Sequence, residues 1–308
     1  MSAKRVLALS GGGIRGYLQG LVINDLEKEA PFLDKVDLFC GTSTGAILAA
    51  YIASGQLISS SDLAEFYRKE GPKIFSKSLG QSISSVWGLY SSRYDPKPLK
   101  EALSYYLGDR RLGDLKKKVL IAAMDLGGDG RPYQAKFFDN FKSNSFDLDL
   151  KLVDVVMAST AAPTYFPAYK IDHPKLGPRH YVDGGLAANH PAMCGLAAAL
   201  DVLGLSAKLE EVRMLQIATG YYPQSAKGWE KRGIVGWVDD VIDLTTEQYT
   251  TVYYQADKIL GQRFFSVGTA YTENIKFDDP KAIAAIDRHY PSMRPTIEVA
   301  KSYLKREW

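Results

Sequence analysis

Residues Lys35–Ser54 read KVDLFCGTSTGAILAAYIAS. The apolar run KVDLFC has the composition of a buried strand, and AILAAYIAS has that of a buried helix, stopping at Gly55. Between them lies Gly41-Thr42-Ser43-Thr44-Gly45, a G-x-S-x-G pattern at a strand-to-helix turn. That is the context of a nucleophile elbow, in which flanking glycines permit a sharp turn and the serine is exposed at its tip. A helix starting near Thr44 aims its N–H groups and positive dipole end at developing negative charge. Taken alone the pattern is also met in tight turns with a capping serine.

Upstream stands RVLALSGGGIRG, Arg5–Gly16, another apolar strand running into glycines and then a helical pattern. Three chemistries use such a loop. Gly11, Gly13 and Gly16 fit G-x-G-x-x-G, but a dinucleotide fold needs an acidic residue closing the second strand, which here ends in Cys40-Gly41. A phosphate-binding P-loop needs Lys-Ser/Thr after its last glycine, and Tyr17-Leu18 follows instead. An oxyanion hole remains: attack by Ser43 on an ester leaves charge on oxygen, and N–H groups of Gly11, Gly12 and Gly13 can face it without obstructing side chains. Arg15 either holds this loop or meets an anionic head group; an ordinary surface arginine is the plainer alternative.

Working outward, strands are expected at 118–126, 133–139, 180–183, 213–218 and 263–267, with Gly127–Gly130 turning the first two into a hairpin. Early strand–helix alternation indicates an α/β layer fold. No repeat or linker divides the 308 residues, so one domain is expected, with a helical subdomain after residue 206 as the alternative. Apolar residues make up 46% of the chain, enough for a sizeable core. Thirty-eight basic against 35 acidic residues tolerate an anionic surface without calling for nucleic acid. The two cysteines, Cys40 and Cys194, suit reduced buried thiols rather than a disulfide framework. The N-terminal apolar run is too short for a signal peptide, and nothing approaches the ~18 apolar residues of a membrane span. The expectation is a cytoplasmic protein.

A serine hydroxyl needs a base. Four histidines are present, His173, His180, His190 and His289, none in a compelling motif. The oxyanion loop and nucleophile follow consecutive strands, which fits ordinary α/β-hydrolases poorly. Asp183, ending the strand of YVDGG before Gly184 and Gly185, is the better candidate, because burial raises a carboxylate's proton affinity enough to take the proton directly. Read by itself, Asp-Gly-Gly is also a hairpin turn.

Four motifs in this order, GGGIRG, GTSTG, ASTAAPTYFP (Ala158–Pro167) and DGGLAANHP (Asp183–Pro191), resemble the patatin-like phospholipases. The resemblance implies a three-layer α/β/α sandwich with a mainly parallel central sheet. It also implies a Ser43–Asp183 dyad, an oxyanion hole at Gly11–Gly13, and hydrolysis of lipid acyl esters without metal or organic cofactor. Ala46 departs from a frequent glycine. His190 falls where asparagine is common, which leaves a histidine-based triad open. A thioesterase or acyltransferase would use the same acyl-enzyme. A nucleotide-activated phospholipase effector and a non-enzymatic lipid-binding protein are further alternatives.

Residues 71–94 contain no acidic side chain and mix Lys73, Lys77 and Arg93 with Phe75, Trp87 and Tyr90. Such a segment suits contact with a lipid surface, Lys73, Phe75, Trp87 and Tyr90 being the expected contacts; a loop packed on the domain is the alternative. The expected partner is therefore a phospholipid or lysophospholipid, met peripherally at a membrane.

Overall fold

The run Val6–Leu9 is wholly buried, and a strand buried on both faces needs helices above and below it. The computed structural model describes residues 3–76, 92–128, 130–141, 146–223 and 248–308 and shows that arrangement. In chain order come β1 (Lys4–Leu9), α1 (Gly16–Glu29), β2 (Leu38–Thr42), α2 (Thr44–Ala53), α3 (Ser61–Ile74), α4 (Lys97–Leu107), β3 (Lys118–Asp125) and β4 (Gln134–Asp139). They are followed by α5 (Leu152–Ser159), β5 (Tyr169–His173), β6 (Gly177–Asp183), α6 (Gly185–Ala188), α7 (Ala192–Leu200), β7 (Val212–Ile217), α8 (Tyr249–Leu260), β8 (Phe264–Val267), α9 (Ala282–His289) and α10 (Arg294–Glu307).

The described strands form one sheet in which β5-β6-β3-β2-β1-β7-β8 are each hydrogen-bonded to the next, with β4 also paired to β3. Its centre is parallel: β1 with β2 and β7, β2 with β3, and β7 with β8. The antiparallel pairs lie at one side, β3 with β4 and β6, and β5 with β6. Leu7 and Leu9 pack on one face with side chains of α1, α2, α5 and α10, while Val6 and Ala8 pack on the other with α7 and α8. The result is a three-layer α/β/α sandwich with a mainly parallel central sheet. β7 and β8, from the stretch after residue 206, extend the sheet beyond β1.

Strand boundaries move from their sequence-based positions, most at the second strand and at β6, which starts at Gly177 instead of 180. The second strand starts at Leu38, because Leu33–Lys35 form a 3-10 turn, and it runs on through Gly41-Thr42. β5 carries no strong apolar alternation and is held by its antiparallel register with β6, Tyr169 opposite Tyr181 and His173 opposite Gly177.

One detail of register positions the site. β4 takes Leu120–Asp125 along one edge of β3. On the other edge, Thr42 of β2 pairs with Ala122 and Asp183 of β6 pairs with Ala123. β2 and β6 therefore meet end to end along a single edge, and the chain leaves both at the same place.

Candidate active site

Ser43 occupies that junction with φ 54° and ψ −121°, a conformation that side-chain-bearing residues adopt only when the surroundings impose it, at a cost of about 1–3 kcal/mol. Close packing imposes it here. A Cβ on Gly45 would stand 2.1 Å from the Leu9 carbonyl oxygen, so β1 and the first turn of α2 meet backbone to backbone. Gly41 is packed as tightly, against the Gly45 carbonyl. Ser43 N–H donates to the Ser159 hydroxyl at 2.9 Å.

Asp183 ends β6 only 6% exposed. Burial pushes its carboxyl up to about 6, opposed by a hydrogen bond from the Ser43 hydroxyl and another from the Gly185 N–H. The Gly185 bond, to Oδ1, is 2.7 Å long. Gly184 lets this turn lie against β3, since a Cβ there would come 2.2 Å from the Ala122 carbonyl oxygen. Ser43 and Asp183 thus share a contact, one at the start of a helix and the other at the end of a strand.

The glycine loop faces the same space, with one correction. Gly12 and Gly13 line the pocket containing Ser43 and Asp183, with Gly13 at φ 56°. Gly11 does not line it: its N–H is donated to the Asn189 carbonyl at 2.9 Å, which leaves the N–H groups of Gly12 and Gly13 as the candidates for the expected oxyanion contact. The loop is clamped by Phe277, whose carbonyl accepts Ile14 N–H at 2.9 Å and whose ring lies 5.2 Å from the Arg15 guanidinium. Arg15 is only 8% exposed and lines the pocket, so the surface-arginine reading is corrected. Asn189, Ser159 and Phe277 are site residues that sequence reasoning had left without a role. The first two lie inside quoted motifs; Phe277 has no local signal.

The pocket beside Ser43 and Asp183 is a cavity of about 110 Å³. Ile47, Phe66, Ile74, Leu99 and Phe166 make its walls apolar. Phe75 also lines it, packed 5.5 Å from the Tyr94 ring. Lys73 is exposed and pairs with Glu70 at 2.9 Å. Trp87 and Tyr90 lie outside the described residues.

None of the four histidines lines this pocket. His190 Nδ1 bonds the Ser10 hydroxyl at 2.8 Å and its ring lies against Tyr249. His289 Nε2 bonds Thr269 at 2.8 Å. Among the described residues no cluster of His, Cys, Asp or Glu is placed to hold a metal, and no helix is long and apolar enough to cross a membrane.

The sequence matches the patatin-like phospholipase family over residues 7–194. It is 33% identical over 293 residues to a cGAMP-activated phospholipase of Pseudomonas aeruginosa, covering 92% of this chain and 82% of that protein. To patatin-like protein 4 of Arabidopsis thaliana it is 31% identical over 209 residues, covering 63% of this chain and 51% of the plant protein. VipD from Legionella pneumophila aligns at 13% identity with a TM-score of 0.48, over 97% of this chain and 67% of that one. The chain belongs to the patatin-like phospholipase family, and with it to the hydrolases of lipid esters.

Proposed function

We propose that the chain releases fatty acids from phospholipids or lysophospholipids with Ser43 as nucleophile and Asp183 as its base. The observation that carries this reading is the approach of a strained serine to a buried carboxyl at one wall of an apolar pocket. Ser43 Oγ attacks the ester carbonyl while its proton passes to Asp183. The Gly12 and Gly13 N–H groups face the resulting oxyanion, where one preorganised donor contributes about 3 kcal/mol. The tetrahedral intermediate collapses, Asp183 returns the proton to the leaving alcohol, and the acyl group stays on Ser43. Water then attacks that ester, gives its proton to Asp183, and frees the fatty acid as Ser43 recovers the proton. The apolar walls at Ile47, Phe66 and Leu99 shelter the acyl chain. Lys73, exposed at the end of α3, suits approach to an anionic lipid surface.

The experiment is labelling with a fluorophosphonate followed by peptide mapping. The label is expected on Ser43 and is expected to disappear in Ser43→Ala. Label elsewhere, or none on the wild-type protein, would sink the assignment.

A second reading concerns control. The relative named as a cGAMP-activated phospholipase aligns over 92% of the chain, well past residue 194 where the family match ends. This favours a hydrolase whose activity is raised by cGAMP. Fatty-acid release should then rise on adding cGAMP and stay flat with unrelated nucleotides; equal release in both cases removes this reading and leaves the dyad untouched.

A further inference from the structure

The motif ASTAAPTYFP is absorbed only in part by the mechanism above. Thr160, Ala162, Pro163, Tyr165 and Phe166 line the pocket, whereas Ser159 does not. Ser159 ends α5, is completely buried, and makes two contacts of unusual placement. Its Oγ accepts the Ser43 N–H at 2.9 Å, and its carbonyl accepts the Gly184 N–H at 3.2 Å. Two residues on, the Ala161 carbonyl accepts the Asp183 N–H at 3.0 Å. A single turn at the end of α5 therefore holds the backbone of the nucleophile by a side chain and the backbone around the base by carbonyls.

We propose that Ser159 is a positioning residue that sets the Ser43–Asp183 separation, its hydroxyl fixing the nucleophile elbow while its carbonyl fixes the turn after the base. The inference rests on the dyad reading above.

The physical argument starts from strain. Ser43 sits at positive φ, a state that persists only where the surroundings over-determine it. Gly41 and Gly45 permit this state through close packing, but they leave the Ser43 N–H to be satisfied. Ser159 Oγ satisfies it from the side of the sheet on which α5 packs, and the same residue reaches across to β6. β2 and β6 meet end to end and make no ladder with each other; their ends are held at neighbouring positions by β3, and the Thr42 hydroxyl donates to the Ala188 carbonyl at 2.6 Å. Ser159 adds the contact that reaches the N–H of the nucleophile itself. Removing its hydroxyl lets the elbow relax relative to Asp183, and an error near 1 Å in such geometry costs about 100-fold in rate.

The test measures the fluorophosphonate labelling rate across pH in wild type, Ser159→Ala, Ser159→Cys and Ser43→Ala. Labelling joins Ser43 Oγ to phosphorus, expels fluoride and sends the hydroxyl proton to Asp183, so its rate reads the dyad alone. Ser159→Ala should label about 10- to 100-fold more slowly than wild type. Its acid limb should also move to higher pH, because the Ser43 hydrogen bond that holds Asp183 down is loosened. Ser159→Cys, which keeps the side-chain shape with a larger atom and a weaker acceptor, should fall between the two. A wild-type rate in Ser159→Ala, or a slower rate with an unmoved acid limb, overturns the proposal, since a merely structural serine would alter the melting temperature and leave the limb in place. If Ser159→Ala fails to fold, Ser159→Cys decides by the same two readouts. Labelling of Ser43→Ala at the wild-type rate would instead remove the dyad reading itself.

Discussion

At the scale of single residues the site rests on an energetic conflict at Asp183. Its carboxyl is pushed from the model-peptide value of 3.8 up to about 6 by burial. As a base it must be ionised, so activity should rise with pH through about 6 and be lost below it. The same shift acts on stability with the opposite sense. Between about 4 and 6 the folded protein holds a proton the unfolded chain has released, so stability falls as pH rises, by up to about 3 kcal/mol at 1.36 kcal/mol per unit. Asp183→Asn keeps the shape and removes the buried charge. It should cut turnover by about 100- to 10,000-fold and raise the melting temperature at pH 8 but not at pH 4. A lower melting temperature at pH 8 would show that the carboxylate is better satisfied than its burial implies.

At the scale of elements the elbow depends on three backbones in contact: the end of β1, the first turn of α2 and the turn after β6. Gly45→Ala would drive a methyl into the Leu9 carbonyl oxygen, 2.1 Å away, and should destabilise the fold by about 1–3 kcal/mol by denaturant titration. Much of this level was legible beforehand. Strand, turn and helix around Ser43 fall in register because LFC and AILAAYIA are apolar without interruption, and Gly41 and Gly45 mark the turn between them. What the sequence did not reveal depends on partners distant along the chain. That β2 and β6 share an edge follows only from β4 covering the opposite edge of β3. Gly11 looks equivalent to its neighbours until Asn189 claims its N–H. Arg15 looks like a surface residue until Phe277, in a segment without periodicity, covers it.

At the scale of the whole molecule, the sheet brings Ser43 and Asp183 to one end while the pocket extends away from them among the helices. Leu186, 37% exposed, sits at the rim, whereas Ile47, Phe66 and Leu99 are buried on α2, α3 and α4. Ile47 lies one helical turn beyond Ser43, on the wall an acyl chain would follow. Ile47→Trp should shift preference toward shorter acyl esters, reducing kcat/KM for long chains by at least about tenfold while sparing short ones. An equal loss at every chain length would place the acyl group elsewhere. β7 and β8 extend the same sheet that carries β1 and β2.

The measurement that bears most directly on the central claim is fatty-acid release from a lysophospholipid at pH 8 by wild type, Ser43→Ala and Asp183→Asn, each checked for folding by circular dichroism. Release by wild type alone, with both folded variants at background, is the predicted result. Release by either folded variant at the wild-type rate would contradict the Ser43–Asp183 dyad.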